Sequence, residues 1–388
     1  MSRAFLFVMD SVGIGGAPDA AKFGDEGSNT LGHISDHMKL NIPNLVSLGA
    51  AKALHASSGS AHGLDMDAPV NGGWGYATEV SQGKDTITGH WEMAGIPLNF
   101  RWGYFPQTIP AFPQSLMDEI IKHAKLPGLL CMAHASGTQV IEDFGEEHMR
   151  TGKPIIYTSA DSVIQIAAHE THFGLQRLYD VCKIARELTY AMNIGRVIAR
   201  PFLGETAKTF ARTGNRKDYA VTPPTPSLLN LLSDAGRDVV SVGKIGDIYA
   251  HVGTGRELKV SGNPTLMQTT LDAMDTVKDG GFLMTNFVDF DTNYGHRRDP
   301  KGYGKELEWF DAQLPQVFAK LRKDDLLIIT ADHGNDPTWH GTDHTRERIP
   351  ILSNRHVQIG GRMSFSDIGQ SIASWLKIAP LLAGISFL

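Results

Sequence analysis

At 388 residues the chain exceeds what a single hydrophobic core usually organises, so two domains are expected. Its 36 basic and 42 acidic residues give a net charge of −6 with no long basic run, which argues against nucleic acid or a membrane surface as a partner. The two cysteines, Cys131 and Cys182, fall in no CxxC or zinc-knuckle spacing, so a disulfide framework is not expected and a reducing cytoplasm suits the chain.

The first element follows Met1-Ser2-Arg3: Ala4 to Met9 is wholly apolar and ends at Asp10. It is too short in its apolar part for a signal peptide and lacks a small-residue cleavage site, so it reads as a buried first strand. No stretch reaches the ~18 apolar residues that a bilayer requires, and a soluble, cytoplasmic protein is expected. Gly13-Ile14-Gly15-Gly16 has a dinucleotide-like look, but the third glycine of that motif would fall on Pro18, and a tight turn after Asp10 is the better reading. Residues 83–92, Gly-Lys-Asp-Thr-Ile-Thr-Gly-His-Trp-Glu, pack hydroxyls, a cation and glycines into what reads as a short loop. Two proline clusters, Pro97 to Pro113 and Ala220 to Pro226, read as hinges. Between them lie strand-like pieces (Pro154 to Thr158, Gly195 to Ala199) and helical ones (His172 to Met192, and Val163 to Ala168 after Ser159 and Asp161). His169-Glu170-Thr171-His172 has its histidines three apart where a zinc-protease helix needs four.

The second half repeats the pattern of the first strand. Apolar runs at 237–243, 282–290 and 325–331 alternate with helical spacing, clearest at Leu307, Phe310, Leu314 and Phe318, and the chain closes on a helix signalled by Ser366-Asp367 with Ile368, Ile372 and Trp375 on one face. Such alternation predicts an α/β fold with a central, mostly parallel sheet flanked by helices on both faces. The economical division is a discontinuous core, 1–98 and 220–388, interrupted by a smaller α/β cap domain, 99–219.

The apolar runs end in metal-ligand chemistry. Asp10 follows the first, Asp291 and His296 follow 282–290, Asp332-His333 follow 325–331, and His344 comes eleven residues later. One strand-end Asp is more often a turn or cap residue, but three carboxylates and three imidazoles at such positions point to a cluster. Mixed oxygen and nitrogen ligation for two ions suits manganese or zinc better than calcium. Two adjacent metals serve in-line displacement at phosphorus, which calls for a nucleophile. A threonine of the 83–92 segment, deprotonated with a metal's help, would supply it, and Lys84 would neutralise phosphate there.

The runs KDTITGHWEMAG, NFVDFDTNYGHRRD and ITADHGNDPTWHGTDHTRE, together with VMDSVGIGGAPDA, YTSADSVIQIAAHE, GRVIARPFLGE and the terminal GISFL, resemble the phosphopentomutases. This is a bacterial family of the alkaline phosphatase superfamily, close to the cofactor-independent phosphoglycerate mutases, and the resemblance spans essentially the whole chain. It implies an alkaline-phosphatase-like core, one manganese site from Asp10, Asp332 and His333, and a second from Asp291, His296 and His344. Thr86 matches the threonine that becomes phosphorylated, with Thr88 as the competing candidate, and His340 is a spare imidazole with no assigned role. Arg200, Arg216 and Lys244 match positions that gather around the substrate's far phosphate. Asp161 and Ser159 would bond sugar hydroxyls, although a capping role before Val163 to Ala168 fits them equally.

The implied reaction interconverts ribose 1-phosphate and ribose 5-phosphate, and the deoxyribose equivalents, through a pentose 1,5-bisphosphate. Catalytic glucose 1,6-bisphosphate or ribose 1,5-bisphosphate would prime the enzyme. The expected partners are therefore small pentose phosphates, with no nucleic acid, membrane or protein partner evident. The rivals are a phosphoglycerate mutase or phosphatase with the same metals, and a non-catalytic sugar-phosphate sensor.

Overall fold

The computed structural model describes residues 2–159 and 162–388. Its strands, in chain order, are β1 (Ala4–Met9), β2 (Gly73–Ala77), β3 (Leu130–His134), β4 (Ile155–Thr158), β5 (Val163–His169), β6 (Arg196–Leu203), β7 (Ala211–Arg212), β8 (Lys217–Ala220), β9 (Val239–Val242), β10 (Arg256–Leu258), β11 (Phe282–Phe287), β12 (Leu326–Thr330), β13 (Ile349–Ser353) and β14 (Gln358–Arg362). They form two sheets in two compact units, one of residues 1–100 with 223–388 and the other of residues 101–222. Both unit boundaries fall within the two proline clusters.

The larger unit carries the eight-stranded sheet, in the order β10-β9-β11-β1-β12-β13-β2-β14. Its centre is parallel: β1 lies between β11 and β12, with Met9 opposite Phe287 and Val8 opposite Thr330. Only β13 runs against its neighbours. Every residue of β1, β11 and β12 is buried, which explains why these strands read as unbroken apolar runs rather than alternating ones. The parallel register also brings the carboxyl ends of all three strands to one edge of the sheet, the place where open α/β sheets build their sites. The helix Pro300–Lys320 covers this region through Leu307, Phe310, Leu314 and Val317. The last of these takes the place the spacing gave to Phe318, which is only half-buried.

The smaller unit has its own six-stranded sheet, β3-β4-β5-β6-β7 with β8 also pairing β6. One face packs Ile156, Ile164 and Ile166 under Met117, Ile120, Leu178 and Val181, and the other packs Ile155, Tyr157 and Ala167 with Val140, Ile141 and Phe202. Covering both faces leaves Val163 to Ala168 buried throughout and apolar but for Gln165, and that run is strand β5, not the helix its composition suggested. A short apolar run cannot be told from a buried helix by periodicity alone, and here the sheet partners decide it. Ser159 therefore precedes no helix, and Asp161 lies outside the described residues.

Two further expectations change. The strand of 282–290 stops at Phe287, and Asp291 sits instead in a π-helical turn, Phe290–Gly295. In the closing helix, Ser366–Leu376, the buried stripe runs through Ile368, Ile372 and Leu376, whereas Trp375 is half-buried with the Arg355 guanidinium over its ring. Among the described residues, no helix is long and apolar enough to cross a membrane.

Candidate active site

Asp10 leaves β1 and Asp332-His333 leave β12, neighbouring parallel strands, so the three side chains meet without any loop having to carry them far. Their ligand atoms lie within 4.8 Å of one another, and all three residues are buried. His333 Nδ1 donates to the Gly334 carbonyl at 3.0 Å, which leaves Nε2 as a bare lone pair aimed into the cluster. That nitrogen is 3.4 Å from both Asp10 Oδ1 and Asp332 Oδ2.

Asp291, His296 and His344 form a second group with the same spread. The π-turn explains the first pair, because its wide i→i+5 bond, His296 N to Asp291 O at 3.0 Å, sets the two side chains together. An antiparallel bridge between Gly334 and Thr345 folds the chain back on itself and explains the third member. It lays the ring of His344 against that of His333, with centroids 4.0 Å apart. His296 Nδ1 donates to the Thr342 carbonyl at 2.7 Å, so its Nε2 also presents a lone pair. It stands 3.1 Å from Asp291 Oδ2 and 3.1 Å from His344 Nε2.

These are the contacts of ligands converging on a point. Asp10 Oδ1 and Asp332 Oδ2 are buried without a hydrogen-bond partner, and such orphans need a positive charge to face. Each carboxylate is nevertheless held through its other oxygen or its neighbour: Asn286 Nδ2 donates to Asp10 Oδ2 at 2.9 Å, the Ser11 amide to Asp332 Oδ1 at 3.0 Å, and Asn335 Nδ2 to Asp291 Oδ1 at 2.7 Å. Ser11 adopts a left-handed backbone, φ 69°, to aim that amide. Asn286, Asn335 and Ser11 were not singled out in the sequence. Their only signal was a polar Asn inside the apolar run of β11 and another two residues after His333.

The electrostatics agree with the geometry. Burial, then the neighbouring Asp332 and Asp291, push Asp10 well above the usual carboxylate range. Burial also pushes Asp332 and Asp291 up, but the imidazoles outweigh it: His333 and His90 hold Asp332 low, and His344 and His296 hold Asp291 well below its ordinary value. Three buried carboxylates thus share the positive charge of the imidazoles, and divalent cations at the triads would favour the ionised form of Asp10. Six ligands of mixed nitrogen and oxygen, fixed by outer hydrogen bonds, fit two divalent ions of the manganese or zinc type.

The 83–92 segment is a loop only as far as Asp85; Thr86–Met93 is helix, with Asp85 as its cap accepting from the Ile87 and Thr88 amides, both at 3.1 Å. The two threonines consequently differ. Thr88 is buried and donates its hydroxyl to Asp85 Oδ2 at 2.6 Å, while Thr86 Oγ1 lies 3.2 Å from His333 Nε2, at the first helical position where the helix dipole favours an anion. Lys84 is paired with Asp25 at 2.9 Å and Asp343 at 3.4 Å. The helix reaches the cluster because residue 89 is glycine: a Cβ there would stand 2.0 Å from the Asp332 carbonyl oxygen. Gly89→Ala is expected to force the helix away, lowering stability by roughly 1–3 kcal/mol and removing turnover. Thermal melts with metal analysis check it, and an unchanged melt with full activity would refute this close contact.

Of the other residues singled out, Lys244 belongs to the larger unit and lies near enough to Asp10 to favour its ionised form. Arg200 and Arg216 belong to the smaller unit. Arg200 donates to Gln165 Oε1 at 3.0 Å, and burial, then the nearby Arg216, lower its pKa. Arg216 forks onto Asp218 at 2.7 and 2.8 Å. His340 is exposed, its ring beside Trp339, and is not part of either triad.

A model of the metalloenzyme superfamily matches residues 2–380. Phosphopentomutase of Chromohalobacter salexigens is 55% identical over 403 residues, covering 100% of this chain and 96% of the relative, and that of Allorhizobium ampelinum is 54% identical over 406 residues with full coverage of both. The chain belongs to the phosphopentomutase family. It also shares its fold with a solved protein of Pyrococcus horikoshii, at a TM-score of 0.50 and 13% identity, covering 99% of each chain. As a member of a metalloenzyme superfamily with two ligand triads, it uses divalent metal.

Proposed function

We propose that this chain interconverts ribose 1-phosphate and ribose 5-phosphate, and their 2-deoxy equivalents, through a phosphorylated Thr86. The observation that carries the reading is the Thr86 hydroxyl, 3.2 Å from His333 Nε2 of the first ligand triad, in a chain whose curated relatives are phosphopentomutases. Asp10, Asp332 and His333 would hold one manganese ion and Asp291, His296 and His344 the other, supplying charge neutralisation for a transferring phosphoryl group and for the threonine oxygen.

Phosphate on Thr86 passes to the free hydroxyl of the pentose phosphate and gives a 1,5-bisphosphate. The bisphosphate then returns its other phosphoryl group to the Thr86 oxygen, so atoms and charge close over one cycle. Glucose 1,6-bisphosphate or ribose 1,5-bisphosphate would place the first phosphate on Thr86. The helix beginning at Thr86 presents its positive end to that group, and Asp85, by capping it, keeps Thr88 out of the chemistry. We assign Arg200, Arg216 and Lys244 to the far phosphate, Arg for its planar fork of donors, and Asp161 to a sugar hydroxyl. Both cysteines are free, which suits work in the cytoplasm.

The test is product formation from ribose 1-phosphate with manganese and catalytic glucose 1,6-bisphosphate. Ribose 5-phosphate is the expected product. Accumulation of free phosphate would identify a phosphatase, and binding without turnover a sensor.

A further inference from the structure

We infer that His90 is a positioning residue for phosphoryl transfer at Thr86, an inference that rests on the reading of Thr86 as the phosphorylated residue. His90 is four residues after Thr86 on the same helix, so its side chain lies back over the helix start, and it is fully buried. Its Nδ1 is 2.8 Å from the Thr86 carbonyl oxygen, and since a carbonyl only accepts, the proton is on Nδ1. The same nitrogen is 3.1 Å from Asp332 Oδ2. Its hydrogen is directed at the carbonyl, which is why that carboxylate oxygen remains without a hydrogen bond. One N–H is therefore wedged between the backbone of the nucleophile and a ligand of the first metal group.

The rest of the helix is fastened by other means. The Tyr249 hydroxyl donates to the His90 carbonyl, and Trp91 Nε1 donates to the Ile248 carbonyl at 2.9 Å. Glu92, buried one residue on, accepts from the Val80 amide at 3.0 Å, the Ser81 amide at 2.7 Å and the Phe365 amide at 2.9 Å. These contacts lie at the carboxyl end of the helix, beyond the imidazole. The His90 ring reaches back to the turn that carries Thr86, and its Nε2 is buried with no hydrogen-bond partner among the described residues. Removing the ring would leave the helix docked while its first turn loses the side-chain bond to the Thr86 carbonyl and the imidazole that lies against Asp332. An alcohol that must face a phosphorus in line is sensitive to that freedom, because a displacement of about 1 Å costs roughly 100-fold in rate.

Three variants separate the N–H from the bulk of the ring. Leu at position 90 removes the donor, Asn sets an amide N–H near the Nδ1 position, and Gln carries its amide further out. For His90→Leu the expected result is a fall in kcat of roughly 100-fold with KM for ribose 5-phosphate within about twofold. Phosphorylation of Thr86 by glucose 1,6-bisphosphate in a single turnover should slow by the same factor, with the metal content of the wild type. His90→Asn should recover to within about tenfold of wild type and His90→Gln should not. The inference is overturned if His90→Leu is phosphorylated at the wild-type rate, if it loses a metal ion, or if His90→Asn is as slow as His90→Leu. A wild-type protein that never carries phosphate on Thr86 overturns the functional reading and this inference with it.

Discussion

Replacing Thr86 by alanine is expected to abolish mutase turnover, a loss of roughly 10⁴-fold or more as for other enzymes stripped of their nucleophile, while both ions remain bound. The separation of these two effects follows from the geometry. Thr86 Oγ1 touches His333 Nε2, but each triad assembles from strand ends, the π-turn and the Gly334–Thr345 bridge without it. Thr86→Ser keeps a hydroxyl and should retain part of the activity. Thr88→Ala removes the 2.6 Å bond to Asp85, whose two backbone bonds remain, so the expected cost is about 1 kcal/mol of stability with phosphorylation still at Thr86. Mass spectrometry of the protein after exposure to glucose 1,6-bisphosphate checks the assignment. Phosphate found on Thr88, or undiminished phosphorylation of the alanine variant, would remove Thr86 from its role.

How much of this site the sequence could show depends on how each residue arrives there. Asp10, Asp332 and His333 were legible because a buried parallel strand is an unbroken apolar run, and its end is where the polar ligand must begin. Asp291 and His296 were legible as residue types, but not as a π-turn, since the wide turn leaves no local signature beyond a spacing of five positions. His344 could be grouped with the other ion only through family resemblance. In space a single two-stranded bridge places it against His333, and that contact is written in no periodicity. The supporting hydrogen bonds were not legible at all. Asn286, Asn335 and His90 each act through an atom 2.7 to 2.9 Å from a residue that is 276, 44 or 4 positions away, and pattern reading sees only the last of these distances. In the smaller unit, Val163 to Ala168 was misread because burial on both faces erases the alternation that marks a strand.

The second large effect expected is that of metal on stability, and it comes with a change of sign at Asp10. In metal-free protein Asp10, Asp332 and Asp291 crowd together, and burial with mutual repulsion drives Asp10 toward its protonated form. A divalent ion at each triad reverses this, so chelation should lower the melting temperature as well as stop turnover. Each ion held at a hundred times its dissociation constant contributes about 2.7 kcal/mol. Asp10→Asn tests the origin of the effect. An amide keeps the size of the side chain and can still accept from Asn286, but it carries no charge. Stripped of metal, the variant should melt higher than stripped wild type, because one of the three competing carboxylates is gone. With manganese present the order should invert, since the variant has lost a ligand and binds about one ion fewer per chain. Calorimetry with and without chelator, beside metal analysis, reads both limbs. If the two melting curves keep the same order in both conditions, the Asp10 carboxylate is not held in place by the charge of a bound ion.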